Sequence, residues 1–385
     1  MDIQRTSKKS AYVRGIKVIV YILNIIISVG FATLAVKKGI RQVNEIGEVY
    51  VKPNAQWLFL SFVSLIFVYA ARGGTGTDTP GYNSWFWHMG AESLISIMES
   101  SRDWLFAVVM YIDYKVFHSL FWHNVIIGIL LYIPIMKMYI EYTDNFPIAM
   151  FLYIVTCAYY FGFNGQRQGV AISIVMLGYP YLLQKKYSSW IVICLIASFF
   201  HTTAYLMIPL GFLMTKETDS KIFIVSTIAA LLSAIMLWSL WGKLFDLLDA
   251  LGQDKIVHDY GGMNASNIRG ANPIRVLIST VPVILGLFFY KTLKNPTYYI
   301  AFNASIWILV FAIAGTRNLF FYRCSAYLAP LQVFIFFNIE KIFDEKSKKF
   351  YWISLSALYL VYMWISLHSE GGMLPYHLLS EYRIY

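Results

Sequence analysis

The stretch NGQRQGVAISIVMLGYPYLLQKKYSSWIVICLIASFFHTTAYLMIP, residues 164–209, decides how the whole chain is read. A polar, glycine-punctuated knot carrying Arg167 opens an apolar helix, and Lys185 with Lys186 closes it. A second apolar run then carries His201 in its middle and Pro209 near its end. Ionisable groups at membrane depth are costly and usually face a cavity or a partner. Arg167 and His201 are therefore expected on one outer face, marking a reaction centre.

Composition sets the class. Of 385 residues, 58% are hydrophobic and only 14% charged, too apolar for a soluble chain of this length. The expected fold class is all-α, a polytopic integral membrane helix bundle of about 11–13 membrane segments. The boundaries read as a basic arm 1–15, one helical membrane domain 16–367 with outer loops 72–103 and 241–272, and an outer tail 368–385. The net charge of +10 is spread over short loops between apolar runs, which argues against nucleic acid. Cys157, Cys194 and Cys324 lie inside apolar runs and read as buried unpaired thiols.

Runs long enough to cross fall near 16–36, 57–71, 104–120, 122–136, 146–162, 167–183, 222–240, 273–290, 297–314, 319–337 and 350–367. Loops 340–349, 291–294 and 184–186 are lysine-rich and read as cytoplasmic. Both flanks of 188–213 then lie inside, so that run should enter and return as two short half-helices with His201 near the outer tip. Irregular backbone at such depth is tolerated only where it lines a protein cavity. Residues 1–17 and loop 37–56 are both basic although one span separates them. If 104–120 lies along the membrane surface, the motif at 72–82 is outside; if it spans, that motif is inside.

This topology sorts the cations. Arg72, Arg102, Arg167, Arg269, Arg275, Arg317, Arg323 and Arg383 fall outside or at the outer edge, eight of the eleven arginines, against three of the twenty lysines. Lysine follows the positive-inside bias and arginine does not. Arginine binds phosphate in a bidentate fork that lysine cannot match. The pattern points to an outward site for a phosphorylated ligand.

Three segments could carry chemistry. In RGGTGTDTPGYNSWFWH (72–88), Gly73, Gly74 and Gly76 would let backbone amides approach a ligand, and Asp78 could serve as a base or simply cap the next helix. Tyr82, Trp85 and Trp87 could stack on sugar rings or form an interfacial belt. No GK[ST] follows, which excludes a nucleotide-binding P-loop. NGQRQG sets Arg167 and Gln168 at a helix start, an end that already favours anions, while Gly165 and Gly169 allow close helix packing. His201 has no histidine or acid at i+3 or i+4, so no metal site is expected. Residues 241–251 have amphipathic spacing, and the following segment could close over a cavity or serve as a plain linker.

The order GTDTPGY, FNGQRQGVAISIV, ASFFHTTAYLMIP, late arginines and a terminal LPY resembles the EpsG/Wzy type of bacterial polysaccharide polymerase, over roughly residues 57–376. The resemblance implies a GT-C-like glycosyltransferase in the bacterial cytoplasmic (inner) membrane. It would join undecaprenyl-pyrophosphate-linked oligosaccharides without a cofactor, with a flippase and a chain-length regulator as partners. Asp78, Arg167, Gln168 and His201 stand at the positions matching the family's motifs. Arg167, His201 and Asp78 are the expected catalytic residues. Arg72, Tyr82, Gln168, Arg269, Arg317, Arg323 and Tyr376 are the expected substrate-binding ones. The rivals are a flippase for the same lipid-linked sugar, which would favour internal repeats, and a membrane O-acyltransferase.

Overall fold

The computed structural model describes residues 2–217, 228, 232, 270–316 and 319–381, with side chains from residue 18 onward. The chain is mostly helical and forms two compact units, residues 1–205 with 349–385 and residues 206–348. Among the described residues four helices are long and apolar enough to cross a membrane, or five if one bent pair is a single span. Their surfaces carry exposed Ile, Leu, Phe and Val side chains, the expected solvent for which is lipid.

The first unit opens with α1 (Asp2–Lys37), which packs against α2 (Ala55–Ala70). Phe31 stacks on Trp57, and Ser61 donates to the Ser28 carbonyl at 2.7 Å. Between them the charged loop 37–56 forms a hairpin, β1 (Ile40–Val43) with β2 (Val49–Lys52), which an all-helical reading did not anticipate. Three helices follow: α3 (Thr79–His88), α4 (Leu94–Ser100) and α5 (Trp104–Phe117). The long α6 (Leu120–Tyr142) packs against α2 and against α9 (Gln166–Met176). Tyr69, Tyr132, Tyr153 and Tyr159, all buried, meet edge-on or tilted beside it.

Two expected uninterrupted spans are broken in this unit. The run 146–162 ends as α7 (Phe146–Val155), turns at Cys157 with φ 66°, and resumes as α8 (Phe161–Asn164). The run 167–183 divides into α9 and α10 (Tyr179–Leu183), because Gly178 and Pro180 interrupt it. Helix α11 (Tyr187–Ser198) stops just before His201, and a 3₁₀ turn begins at Thr202. The sequence reading placed a break at His201, and the helix breaks there.

Gly169 explains how close α9 can come to α6. A Cβ at Gly169 would stand 2.5 Å from Leu131 Cδ2. Overpacking such a contact costs about 1–3 kcal/mol. Gly169→Leu is therefore expected to lower the thermal unfolding temperature of the detergent-solubilised protein and to displace Arg167, two residues earlier. An unchanged melting curve would mean that the contact is looser than drawn.

The second unit contains α12 (Met207–Met214), α13 (Ile274–Phe289), α14 (Pro296–Gly315), α15 (Leu319–Ala326) and α16 (Ala329–Glu340). Helices α15 and α16 meet at 55°, so the run 319–337 is also bent rather than straight. Asn303 donates to the Met214 and Lys216 carbonyls, both at 2.8 Å, capping the C-terminal end of α12. The Arg275 guanidinium stacks on Tyr322, 3.7 Å from the ring centre. Finally α17 (Glu345–Ser369) leads into the tail of the first unit.

Candidate active site

The centre of the polar cluster is a residue to which the sequence reading gave no role. Asp103 stands immediately before α5, where an aspartate ordinarily caps its own helix. It makes no side-chain cap bond. Its Oδ2 instead accepts from Arg167 Nη1 at 2.9 Å and from His201 Nδ1 at 3.0 Å. Its Oδ1 accepts from the Thr202 N–H at 3.2 Å and the Thr202 hydroxyl at 3.3 Å. Arg102 Nε in turn donates to the Thr202 hydroxyl at 2.9 Å.

Four donors fill the lone pairs of a carboxylate whose side chain is only 3% exposed. Burial alone pushes Asp103 up. The hydrogen bond and charge of His201, the Arg167 guanidinium and the Thr202 N–H outweigh it, holding the group below the usual carboxylate range. Asp103 is an anion here.

Local structure sets each partner in place. Gly165 precedes the first turn of α9, and Arg167 is the second residue of that turn. A cation there adds to the positive end of the helix dipole, and the Asp103 carboxylate answers part of that charge. The Arg167 side chain stays 38% exposed although its Nε is buried. Its Cζ also lies 5.7 Å from the Trp85 ring centre. Trp85 stacks on Phe106, and Tyr82 meets Phe106 edge-on at 6.0 Å. His201 uses Nδ1 on the carboxylate, and no other hydrogen bond of its ring is made among the described residues.

Asp78 belongs to a neighbouring arrangement. Its backbone N–H and the Thr77 hydroxyl both donate to Asn164 Oδ1, at 3.2 and 3.3 Å, and the Asp78 side chain does not cap α3. Thr77 also donates to Asp78 Oδ1 at 3.2 Å. The loop is thereby pinned three residues before Arg167. Gly76 makes the turn possible with φ 99°, and a Cβ there would lie 2.8 Å from Asn164 Oδ1.

The amides of Gly73 and Gly76 are occupied, which removes two of the three glycines from the expected ligand cradle. Gly73 N donates to the His377 carbonyl at 2.8 Å, Gly76 N to Gly372 at 2.9 Å and Thr77 N to Gly371 at 3.1 Å. The C-terminal tail is thus laced onto the loop, and Asn164 Nδ2 donates to the Gly371 carbonyl at 2.9 Å from the other side. Tyr376 is buried in this lacing, with its hydroxyl on the Val68 carbonyl, so its side chain anchors the tail. Arg72 is fully buried too, stacked on Tyr69 and bonded to the Tyr69 carbonyl.

Of the remaining expected residues, Gln168 is buried in α9 and Tyr82 is half-buried in α3. Arg323 stands exposed on the last turn of α15, in the second unit. Arg269 and Arg317 lie outside the described residues, as do Arg383 and the expected amphipathic helix and closing segment of 241–269. Among the described residues no group of three or more His, Cys, Asp or Glu side chains is placed to hold a metal ion.

Glu370 adds a pH dependence at the edge of the lacing. Burial pushes its carboxyl up to about 7, from an ordinary 4.5. The folded protein therefore holds this proton more tightly than the unfolded chain does. That contribution to stability is full below about pH 4.5 and is lost as the pH climbs through about 7. The unfolding temperature is expected to fall between about pH 5 and pH 8, and less steeply in Glu370→Gln. Parallel curves for the two proteins would exclude Glu370 as a source.

No curated protein matches the chain, and no solved structure does. The EpsG family model matches residues 56–378, a span that includes the loop 71–79, Asp103, Arg167, His201 and the tail through Leu378. With the apolar helices described above, this chain is a membrane protein that belongs to the EpsG family, the polysaccharide-polymerase type its motifs resemble.

Proposed function

We propose that the protein extends a bacterial surface polysaccharide by joining oligosaccharide units carried on undecaprenyl pyrophosphate, at the outer face of the cytoplasmic membrane. The observation carrying this reading is the meeting of Arg167 and His201 on one oxygen of Asp103, beside Trp85, which rests on the buried Phe106. A partly exposed arginine side chain suits a diphosphate, a histidine with one open ring nitrogen suits a hydroxyl proton, and the half-buried Trp85 and Tyr82 rings suit sugar faces.

In the proposed step, the acceptor hydroxyl oxygen attacks the anomeric carbon of the growing chain. The bond from that carbon to the phosphate oxygen breaks, and the lipid diphosphate leaves with the electron pair. The acceptor proton passes to His201 Nε2. Arg167 binds the diphosphate and stabilises the charge that grows on it, an interaction stronger in the transition state than before it. Attack opposite the departing diphosphate inverts the anomeric centre. His201 is a better candidate base than Asp78, because it shares the Asp103 carboxylate with Arg167 while Asp78 is held by the Asn164 arrangement.

The direct test incubates purified protein with lipid-linked repeat units and resolves the products by size. A ladder of lengthening chains supports the polymerase. Transfer of unchanged units across a vesicle bilayer would identify a flippase, and transfer of labelled acyl groups an acyltransferase.

A further inference from the structure

We propose that Asp103 is a positioning residue for this reaction: by accepting from His201 Nδ1 and Arg167 Nη1 at one oxygen, it fixes the base tautomer and ties the base to the diphosphate-binding cation. The inference rests on the reading of His201 as the base.

The geometry forces the tautomer. A neutral imidazole carries one proton, and the nitrogen facing an ionised carboxylate is the one that must donate. Asp103 Oδ2 lies 3.0 Å from His201 Nδ1, so the proton sits on Nδ1 and the lone pair on Nε2. The lone pair is what a general base needs. The same oxygen lies 2.9 Å from Arg167 Nη1, which fixes the distance between proton acceptor and cation through a single atom. Oδ1 is held by both donors of Thr202, so the carboxylate cannot rotate without losing them.

The alternative is that Asp103 merely pins α5 to the turn after α11. Leu105 N donates to the Phe199 carbonyl at 3.2 Å, and Trp104 packs on Phe199, so that junction has its own ties. An amide at this position makes the difference measurable. Asparagine can still accept from Thr202, but it would point an N–H₂ at His201 and Arg167. The imidazole would then accept at Nδ1 and carry its proton on Nε2, where it cannot act as a base.

The test uses the full-length chain in detergent or nanodiscs, labelled with ¹⁵N in its histidine rings, at a pH where the rings are neutral. His201 is assigned among the seven histidines by the signal lost in His201→Gln. The wild-type ring is expected to carry its proton on Nδ1, and in Asp103→Asn the proton is expected to move to Nε2. A wild-type ring protonated on Nε2 overturns the proposal whether or not any variant folds. So does an unchanged tautomer in folded Asp103→Asn. In the extension assay Asp103→Asn should lower kcat on the order of 10²-fold, and adding it to His201→Gln should cost less than the product of the two separate losses. Fully additive losses would overturn action through His201. The tautomer needs no substrate. An intact tautomer without a product ladder would therefore defeat only the polymerase reading, and a ladder with the wrong tautomer only the role of Asp103.

Discussion

Arg167→Ala is expected to leave a folded protein whose chain extension is slower by about 10²- to 10³-fold, the usual loss when one preorganised group facing developing charge is removed. Folding survives because Asp103 keeps three donors, His201 and the two of Thr202, and because the arginine side chain is already 38% exposed. A hydrogen bond to a charged group contributes about 1.5–3 kcal/mol, and partial exposure places this one at the low end. Arg167→Lys separates charge from shape. Lysine can reach Asp103 as a point charge but cannot present two parallel donors to a diphosphate, so most of the rate should still be lost. Full-length ladders from Arg167→Lys at the wild-type rate would exclude bidentate recognition. A loss confined to the melting temperature would reduce Arg167 to an ion-pair partner.

His201→Gln is expected to cost about 10²–10⁴ in kcat, the range for removing a general base. Glutamine can donate its amide N–H to Asp103 Oδ2, so the cluster keeps its shape and loses only the lone pair at Nε2. Asp78→Asn provides the contrast. The Asp78 backbone N–H, not its carboxylate, holds the loop to Asn164, so the asparagine variant retains that hydrogen bond. Its rate should fall by less than about tenfold if His201 is the base. The reversed order, with a small loss at His201 and a large one at Asp78, would transfer the base to the loop. The two measurements share one assay, so stability differences can be removed by comparing rates per folded molecule.

The tail prediction at Glu370 and the packing prediction at Gly169 test the frame around these residues. The tail takes up the amides of Gly73, Gly76 and Thr77, and Gly169 sets the depth at which α9 meets α6. Neither residue is proposed to touch substrate. Each would act by moving Arg167 or the Asp78 loop.

Much of this protein is written locally. Apolar runs near 20 residues become helices with lipid-facing sides because the backbone must satisfy itself where water is absent. The break at His201 was legible for the same reason: a polar residue and a nearby proline interrupt an apolar run too short for two crossings. The breaks near Cys157 and Gly178 were less so, since hydropathy stays high across both and only turn geometry divides them. Arg167 and His201 stood out because isolated ionisable groups in apolar sequence are rare. Asp103 did not, because an aspartate before a helix is commonplace and its departure from capping is visible only in three dimensions. Its partners lie 64 and 98 positions away in the chain. Periodicity and composition report on a residue's own helix and its solvent. Which carboxylate neutralises which cation depends on how helices pack, and that was decided by the tertiary structure alone.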